Sequence, residues 1–544
     1  MDPAQAVTAS RIESWFDARG RASRWGLAFL SGMLATLGHA PFQIVPAFVV
    51  AIVILMWLLD AIGRRRLSLL RRVLAGAATA YAFGLGHFLT GFYWVSSAFL
   101  VDANTFGALA IPAVLGLGGG LAIFWALGGA LALAIWTPDM RRVAGFAVVA
   151  FVCEWLRGHL FGGLPWLLPG YVWMPGEPIS QLASLVGIYG LTLLTLLISA
   201  AFATIADGRY RGGLRFAPTI LAALALGLAW GWGAQRVARA PADAPGALPI
   251  VRVADSGLSQ REKWADHPDQ EYRVLARYLR ATGTQEESHA QIVVWPEGAI
   301  PTINFYTLEN PDFLDHIAAG LGDRVLVLGL SRRALVNGQV AYFNSAIAID
   351  AVAGRPRIDM TQVYDKNRLV PFGEFIPLWS VFSRFNIAPL QEIGAGFTPG
   401  PPPTRRVIPE APPAVILICY EAIFPDLTPR GEDRPGWIIA VSNDAWFGHG
   451  TGPYQHYVAA RYRSIEEGLP MARAASGGVS AIIDSFGRAV RETDRPGGAV
   501  EAQLPPALPE TAYAAWGFLL IPGLVVLVLA LRFVPIDTSM RGKR

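Results

Sequence analysis

The sequence predicts an α-helical membrane region of about eight spanning helices joined to one α/β or layered-sandwich domain. Three observations predict it. Of 544 residues, 53% are hydrophobic and only 16% are charged, whereas soluble globular chains carry about 25% charged residues. Apolar runs near the length that crosses a bilayer, about 20 residues, fill residues 25–235 and recur at 513–533. Between them, residues 248–508 hold most of the Asp, Glu and Lys, and β-rich runs alternate with helical stretches.

The chain opens with residues 1–24, which show no apolar core followed by a small-residue cleavage site. No removable signal peptide is expected, and the first apolar run serves as an uncleaved anchor. The candidate spans are about 25–40, 44–60, 73–100, 107–136, 143–158, 178–205, 216–235 and 513–533, the first and fifth being short. Arginines cluster before the first run, at Arg64–Arg66 with Arg71 and Arg72, at Arg141 and Arg142, at Arg209, Arg211 and Arg215, and again in residues 534–544. The alternate connections, around Pro41 and Asp102, carry almost none. Positive charge stays on the cytoplasmic side. Eight spans with residues 1–24 and 534–544 both cytoplasmic satisfy every cluster, and they put residues 248–508 outside, which in a bacterium is the periplasm. The net charge of +4 is small, and clusters between apolar runs do not make the basic face that nucleic acid requires.

After a hinge at 236–248, strands are expected at Ile292–Trp295, Val325–Leu328, Ser345–Ile349, Ala414–Tyr420, Trp437–Ser442 and Val479–Asp484, with helices at Glu271–Thr282 and Gln455–Glu467. The two cysteines, Cys153 and Cys419, lie in unlike surroundings and do not read as a disulfide framework. A lone thiol facing an oxidising compartment calls for a chemical reason.

Three segments carry reactive side chains. The apolar strand before Pro296 ends in Glu297, which taken alone reads equally as a solvated strand-end glutamate. Lys366 stands in Tyr364–Glu374, in a chain that strongly prefers arginine; lysine is a compact point charge with a readily shifted pKa, but a surface loop lysine is the commoner case. Cys419 closes the run Ala414–Ile418, where a buried structural cysteine is the ordinary alternative. Together they supply a base, a cation and a thiol. A thiol is mostly protonated near neutral pH, so a carboxylate must take its proton as it attacks. The ammonium and a backbone N–H can then hold the oxyanion formed at an acyl carbon. No histidine is placed for a Cys-His pair.

These segments resemble the nitrilase superfamily and, more closely, the apolipoprotein N-acyltransferases. The resemblance rests on Trp295-Pro296-Glu297, the run from Lys366 through Leu369–Glu374, Cys419-Tyr420-Glu421 and Ser442–Gly448, with Glu154–Gly158 and Gly163–Trp166 in the membrane region. It covers nearly the whole chain. It implies an αββα sandwich, no cofactor and no metal. It implies a bacterial inner-membrane enzyme that takes an acyl chain from a phospholipid and passes it, through a thioester on Cys419, to the α-amino group of a diacylglyceryl-cysteine at an apolipoprotein's N-terminus. By the same resemblance Glu297 is the base, Lys366 stabilises the oxyanion, Glu374 orients Lys366 or shares the base role, Tyr420 and Glu421 support the site, and Trp264 and Trp446 line the pocket. Three positions depart from the family pattern: Gly298 stands where serine is expected, Asp255-Ser256-Gly257 lacks the usual Gln and Asn, and Ser476 replaces an asparagine.

In the membrane region, Glu154 and Arg157 lie three apart near the outer end of a span. They are either a self-satisfied helix pair or a contact for a substrate headgroup. Trp94, Trp155, Trp166 and Trp173 read mostly as interfacial anchors. Two other functions compete: a membrane-tethered amidase or hydrolase that gives the thioester to water, and a scaffold with a dead catalytic domain.

Overall fold

Helices stand at all eight predicted spans in a computed structural model of the chain, which describes residues 10–208, 210, 212–240, 248–263, 265, 267–300, 311–352, 355–376, 396–493 and 497–533. The first seven are α1 (Arg21–Thr36), α2 (Val45–Gly63), α3 (Leu69–Gly91), α4 (Ala110–Ala134), α5 (Arg141–His159), α6 (Ala183–Ala201) and α7 (Ala217–Ala238). Counting their flanking turns, six helices among the described residues, those containing α2 to α7, are long and apolar enough to cross a bilayer. The spans turn Ile111, Leu115 and Ile123 of α4 and Ile220, Leu224 and Leu228 of α7 outward. A hydrocarbon solvent accepts such faces, and a helix alone satisfies its own backbone there. Glycine sets the closest crossing. A Cβ on Gly32 of α1 would lie 1.9 Å from the Phe83 carbonyl oxygen of α3, and one on Gly86 would lie 2.1 Å from that of Phe29. Only glycine permits that approach.

The predicted third span, 73–100, is broken. Helix α3 stops at Gly91, a short turn follows at Tyr93–Val95, and a separate helix covers Ser96–Leu100. At the break, Gln455 donates from Nε2 to the Gly91 carbonyl at 3.4 Å, an oxygen that a helix end leaves without an intrahelical partner.

In the large domain, one sheet contains β1 (Ile250–Asp255), β2 (Ile292–Val294), β3 (Val325–Val336), β4 (Gln339–Val352), β5 (Arg355–Ile358), β6 (Tyr364–Asp365) and β12 (Gly498–Gln503). Its order is β12-β1-β2-β3-β4-β5, with β6 also on β4. The second runs β11 (Ala489–Glu492), β10 (Ala481–Ile483), β9 (Met471–Ser476), β8 (Trp437–Asn443) and β7 (Ala414–Ile418). Strands β1, β2 and β3 are parallel, as are β7, β8 and β9. Parallel strands buried on both faces read as unbroken apolar runs, which is why Val325–Leu328 and Ala414–Ile418 are visible in the sequence. The β3–β4 hairpin extends well past the predicted cores into Arg332–Val336, an exposed stretch with no apolar run to announce it.

Alternation sorts the side chains into layers. Val251, Val253, Ile292, Val294, Val325 and Val327 meet Ile416, Ile418, Ile439 and Val441 between the sheets. On the first sheet's other face, Val293, Trp295, Leu326 and Leu328 pack with Val274 and Tyr278 of helix Gln270–Thr282 and with Phe313 and Ile317 of helix Pro311–Leu321. The second sheet's outer residues, Val415, Leu417, Ile438 and Ala440, join Val458, Tyr462 and Ile465 of helix Gly452–Glu467. That cluster runs on without a break into the membrane helices. The order of layers is helix, sheet, sheet, helix, membrane bundle. The last helix, Ala512–Ala530, returns the chain to the bundle beside α6.

Candidate active site

Strand β7 ends at Ile418, and the next residue, Cys419, has φ +50°. A non-glycine residue in that region costs about 1–3 kcal/mol and persists only where its surroundings hold it. Glu421 provides the hold. Its Oε2 accepts the Ile418 N–H at 2.8 Å. Its Oε1 accepts the Tyr364 hydroxyl at 2.7 Å and the N–H groups of Asn367 and Arg368 at 2.8 and 3.1 Å. One buried carboxylate thus ties the Cys419 turn to the loop that carries Lys366.

Glu297 reaches the same place from β2. It sits against β3, where a Cβ on Gly329 would lie 2.6 Å from the Glu297 Cα, so only glycine leaves room. Its Oε1 accepts the Asn344 Nδ2 at 2.6 Å, and its Oε2 accepts the Asn443 N–H at 2.9 Å. Lys366 follows β6; its N–H donates to the Asn344 carbonyl at 2.8 Å. Its Nζ lies 2.9 Å from Glu374 Oε1 and 3.5 Å from Glu297 Oε1. Asn344 donates to Glu374 as well, at 2.7 Å, and Glu374 Oε2 accepts the Val370 N–H at 2.8 Å.

Charge follows from this packing. Burial opposes the Lys366 cation, but Glu374, then Glu297 and Cys419, hold its pKa above the ordinary lysine value. The ammonium is permanent at neutral pH. Burial, then Glu297, pushes the Cys419 thiol above the usual cysteine value, against the pull of Lys366. A thiol in this state does not ionise at neutral pH and needs a base at the moment it reacts. Cys419 is only half-buried, and both cysteines are unpaired.

The site rests on the membrane helices. The Tyr420 hydroxyl donates to the Gly163 carbonyl at 2.5 Å. Trp94 and Trp166, both buried, donate from Nε1 to Gln455 Oε1 at 3.1 and 2.8 Å. These two tryptophans, expected at the bilayer surface, instead join the membrane region to helix Gly452–Glu467. Trp155 is exposed, and Trp173 donates to Thr195 within the bundle. Glu154 and Arg157 pair with each other, both buried, and Arg157 also donates to the Leu164 carbonyl. Of the two readings of that pair, the geometry carries the self-satisfied one; it braces the loop that receives Tyr420. Trp446 is exposed in the turn Asp444–Phe447, while Trp264 lies outside the described residues.

Sequence reasoning missed several partners. Asn344 bridges both glutamates, yet nothing in β4 marks it. His456 does approach Cys419, but at the backbone: its Nε2 is 3.1 Å from the Cys419 carbonyl oxygen and its Nδ1 is 2.8 Å from Asp444 Oδ1. Asp444 also accepts from Arg473 at 2.7 Å and from Ser442 at 2.6 Å. The Ser442–Gly448 motif was the available signal for this cluster.

Residues 31–201 match the family model for the N-terminal domain of apolipoprotein N-acyltransferase, and residues 252–511 match that for carbon-nitrogen hydrolases. The apolipoprotein N-acyltransferase of Rhodopseudomonas palustris is 38% identical over 93% of this chain and 95% of its own. That of Bradyrhizobium diazoefficiens is 38% identical over 93% and 94%. A nitrilase-superfamily amidase from Nesterenkonia AN1, known as a solved structure, covers 49% of this chain and 94% of its own at 17% identity and a TM-score of 0.33, too slight a likeness to bear on function. With its membrane bundle, its two-sheet domain and relatives matched from end to end, the chain belongs to the apolipoprotein N-acyltransferase family of multi-pass membrane enzymes.

Proposed function

We propose that the chain moves an acyl chain from a phospholipid to the α-amino group of a diacylglyceryl-cysteine at the N-terminus of an apolipoprotein, through a thioester on Cys419. The carrying observation is the strained Cys419 turn, set beside a Glu297–Lys366–Glu374 network and joined by Tyr420 to the membrane loop at Gly163. Glu297 takes the thiol proton as Sγ attacks the sn-1 ester carbonyl. Lys366 and the N–H after Cys419 hold the oxyanion. The C–O bond breaks, and Glu297 returns the proton to the departing lysophospholipid. In the second half, the neutral amine attacks the thioester and gives a proton to Glu297, and the C–S bond breaks as Glu297 passes that proton to the sulfur, leaving the amide, the thiol and an ionised Glu297.

Glu374 and Asn344 orient Lys366 and Glu297. Trp446 lines the approach, Trp264 is assigned to substrate by the resemblance alone, and the Glu154–Arg157 pair braces the loop that receives Tyr420. The arginine pattern supports a site on the periplasmic side of the bacterial inner membrane, at the level of the outer-leaflet esters. The test is mass spectrometry of the protein after exposure to phospholipid alone. An acyl adduct on Cys419, removed by hydroxylamine and passed to a diacylated lipopeptide, is expected. Adduct on another residue, or fatty acid release with no N-acylated peptide, would overturn the reading, the second outcome in favour of a hydrolase.

A further inference from the structure

A second buried cation stands behind Glu297. Lys263 closes the short helix Gln260–Lys263 and is 1% exposed. Its Nζ donates to the Ser476 hydroxyl at 2.7 Å and to the Tyr278 hydroxyl at 3.2 Å. Asp255, at the end of β1, is equally buried, and Lys263 and Asp255 draw each other's charge. Asp255 Oδ2 accepts the Gly477 N–H at 3.4 Å, while Oδ1 has no hydrogen-bond partner among the described residues. A buried carboxylate so thinly bonded depends on a neighbouring cation.

Strand register shows what this pair is next to. In the parallel β1–β2 ladder Val253 faces Val294, so Asp255 falls beside Pro296, one residue before Glu297. In the β8–β9 ladder Ser476 faces Asn443. The Asn443 N–H is the one that binds Glu297 Oε2, and the Asn443 side chain accepts from Gln260 at 2.7 Å. One turn of helix therefore grips both strand ends, Asn443 through Gln260 and Ser476 through Lys263.

We propose that Lys263 is a positioning residue for the base: hydrogen-bonded to Ser476 and Tyr278, it fixes the end of β9 against β8 so that the Asn443 N–H aims Glu297 at Cys419. Lys263 acts through Asn443 and Glu297 and does not touch the acyl group. The groups facing it are Asp255 from β1, Glu297 from the end of β2, Tyr278 from helix Gln270–Thr282 and Ser476 from β9, while Arg261 and Glu262 of its own helix are exposed. Burial, opposed by Asp255 and Glu297, lowers the Lys263 pKa to about 8. Above that pH the ammonium is lost and Asp255 is left without its counter-charge, so the aim of Glu297 is lost on the alkaline side.

The inference rests on the proposed acyl-enzyme, and one experiment separates the two. The full chain in mixed micelles is given a phospholipid with a radiolabelled sn-1 chain, and label on Cys419 is timed from pH 6 to 9, which leaves the acceptor amine out. The parent should label and slow as pH rises through about 8. Lys263→Met should label about 100-fold more slowly at pH 7, the scale of a small misplacement of a reacting group. Adding Asp255→Asn to Lys263→Met removes the buried carboxylate but does not restore the contact to Ser476; the double variant should stay slow and lose the alkaline decline. A parent that never labels overturns the acyl-enzyme. A parent that labels, with Lys263→Met at the parental rate or a double variant restored to it, overturns the role of Lys263.

Discussion

Two buried ion clusters, each of one cation and two carboxylates, sit in different halves of the molecule. In the membrane bundle Arg142 stands between two carboxylates, its Nε 2.8 Å from Asp60 Oδ1 and its NH2 2.5 Å from Asp207 Oδ1. In the large domain Lys366 stands between Glu374 and Glu297. Both cations are about 1% exposed. The difference is in what remains to be done. The planar arginine fork is taken up by its partners, NH1 reaching both Asp207 and the Asp139 carbonyl. Such a cluster ties α5 to α2 and to the turn after α6. The lysine is a point charge with three rotatable donors, and its cluster opens on a half-buried thiol. Charge enclosed by fixed carboxylates ties helices together; charge beside a thiol is what an acyl-transfer site calls for.

The sharpest way to break this comparison is at the thiol and the lysine. Cys419→Ala should abolish acyl transfer, and a variant that still transfers would remove the thioester. Lys366→Arg keeps the charge but not its geometry, and should cost about 10²–10³ in acylation rate, the scale of one oxyanion donor. A parental rate would show that charge alone suffices in both clusters. Glu297→Gln should slow acylation about 10²–10⁴-fold as a lost general base. Because burial holds the Cys419 thiol protonated, alkylation of Cys419 by iodoacetamide should be slow at pH 7 and rise steadily above pH 9; fast alkylation at pH 7 would mean a thiolate already formed.

The membrane cluster should answer differently. Arg142→Met strands two buried carboxylates and should cost about 3–5 kcal/mol of stability, seen as a lower melting temperature. The folded fraction should acylate Cys419 at the parental rate. Smaller still is the joint between the halves. Gln455→Ala leaves the indole N–H groups of Trp94 and Trp166 unpaired and should cost about 1–3 kcal/mol. It should raise the KM for phospholipid while leaving iodoacetamide alkylation of Cys419 unchanged; an unchanged KM would show that the joint does not position the site against lipid.

The sequence by itself marked the two-part plan and the three side chains, Glu297, Lys366 and Cys419, that the fold gathers. Apolar length reports a span because lipid demands it, and buried parallel strands betray themselves as apolar runs ending at Glu297 and Cys419. Local pattern carries these because each depends on neighbours in sequence. Tertiary structure alone decided the rest: that Asn344 links the two glutamates, that Trp94, Trp166 and the Gly91 carbonyl share Gln455, and that Ser476 and Tyr278 hold Lys263. Each is a buried polar group satisfied by a residue distant in the chain. A hydrogen bond asks only for a donor within about 3 Å, and which donor arrives there is set by how sheets and helices pack, which leaves no periodic trace in the sequence.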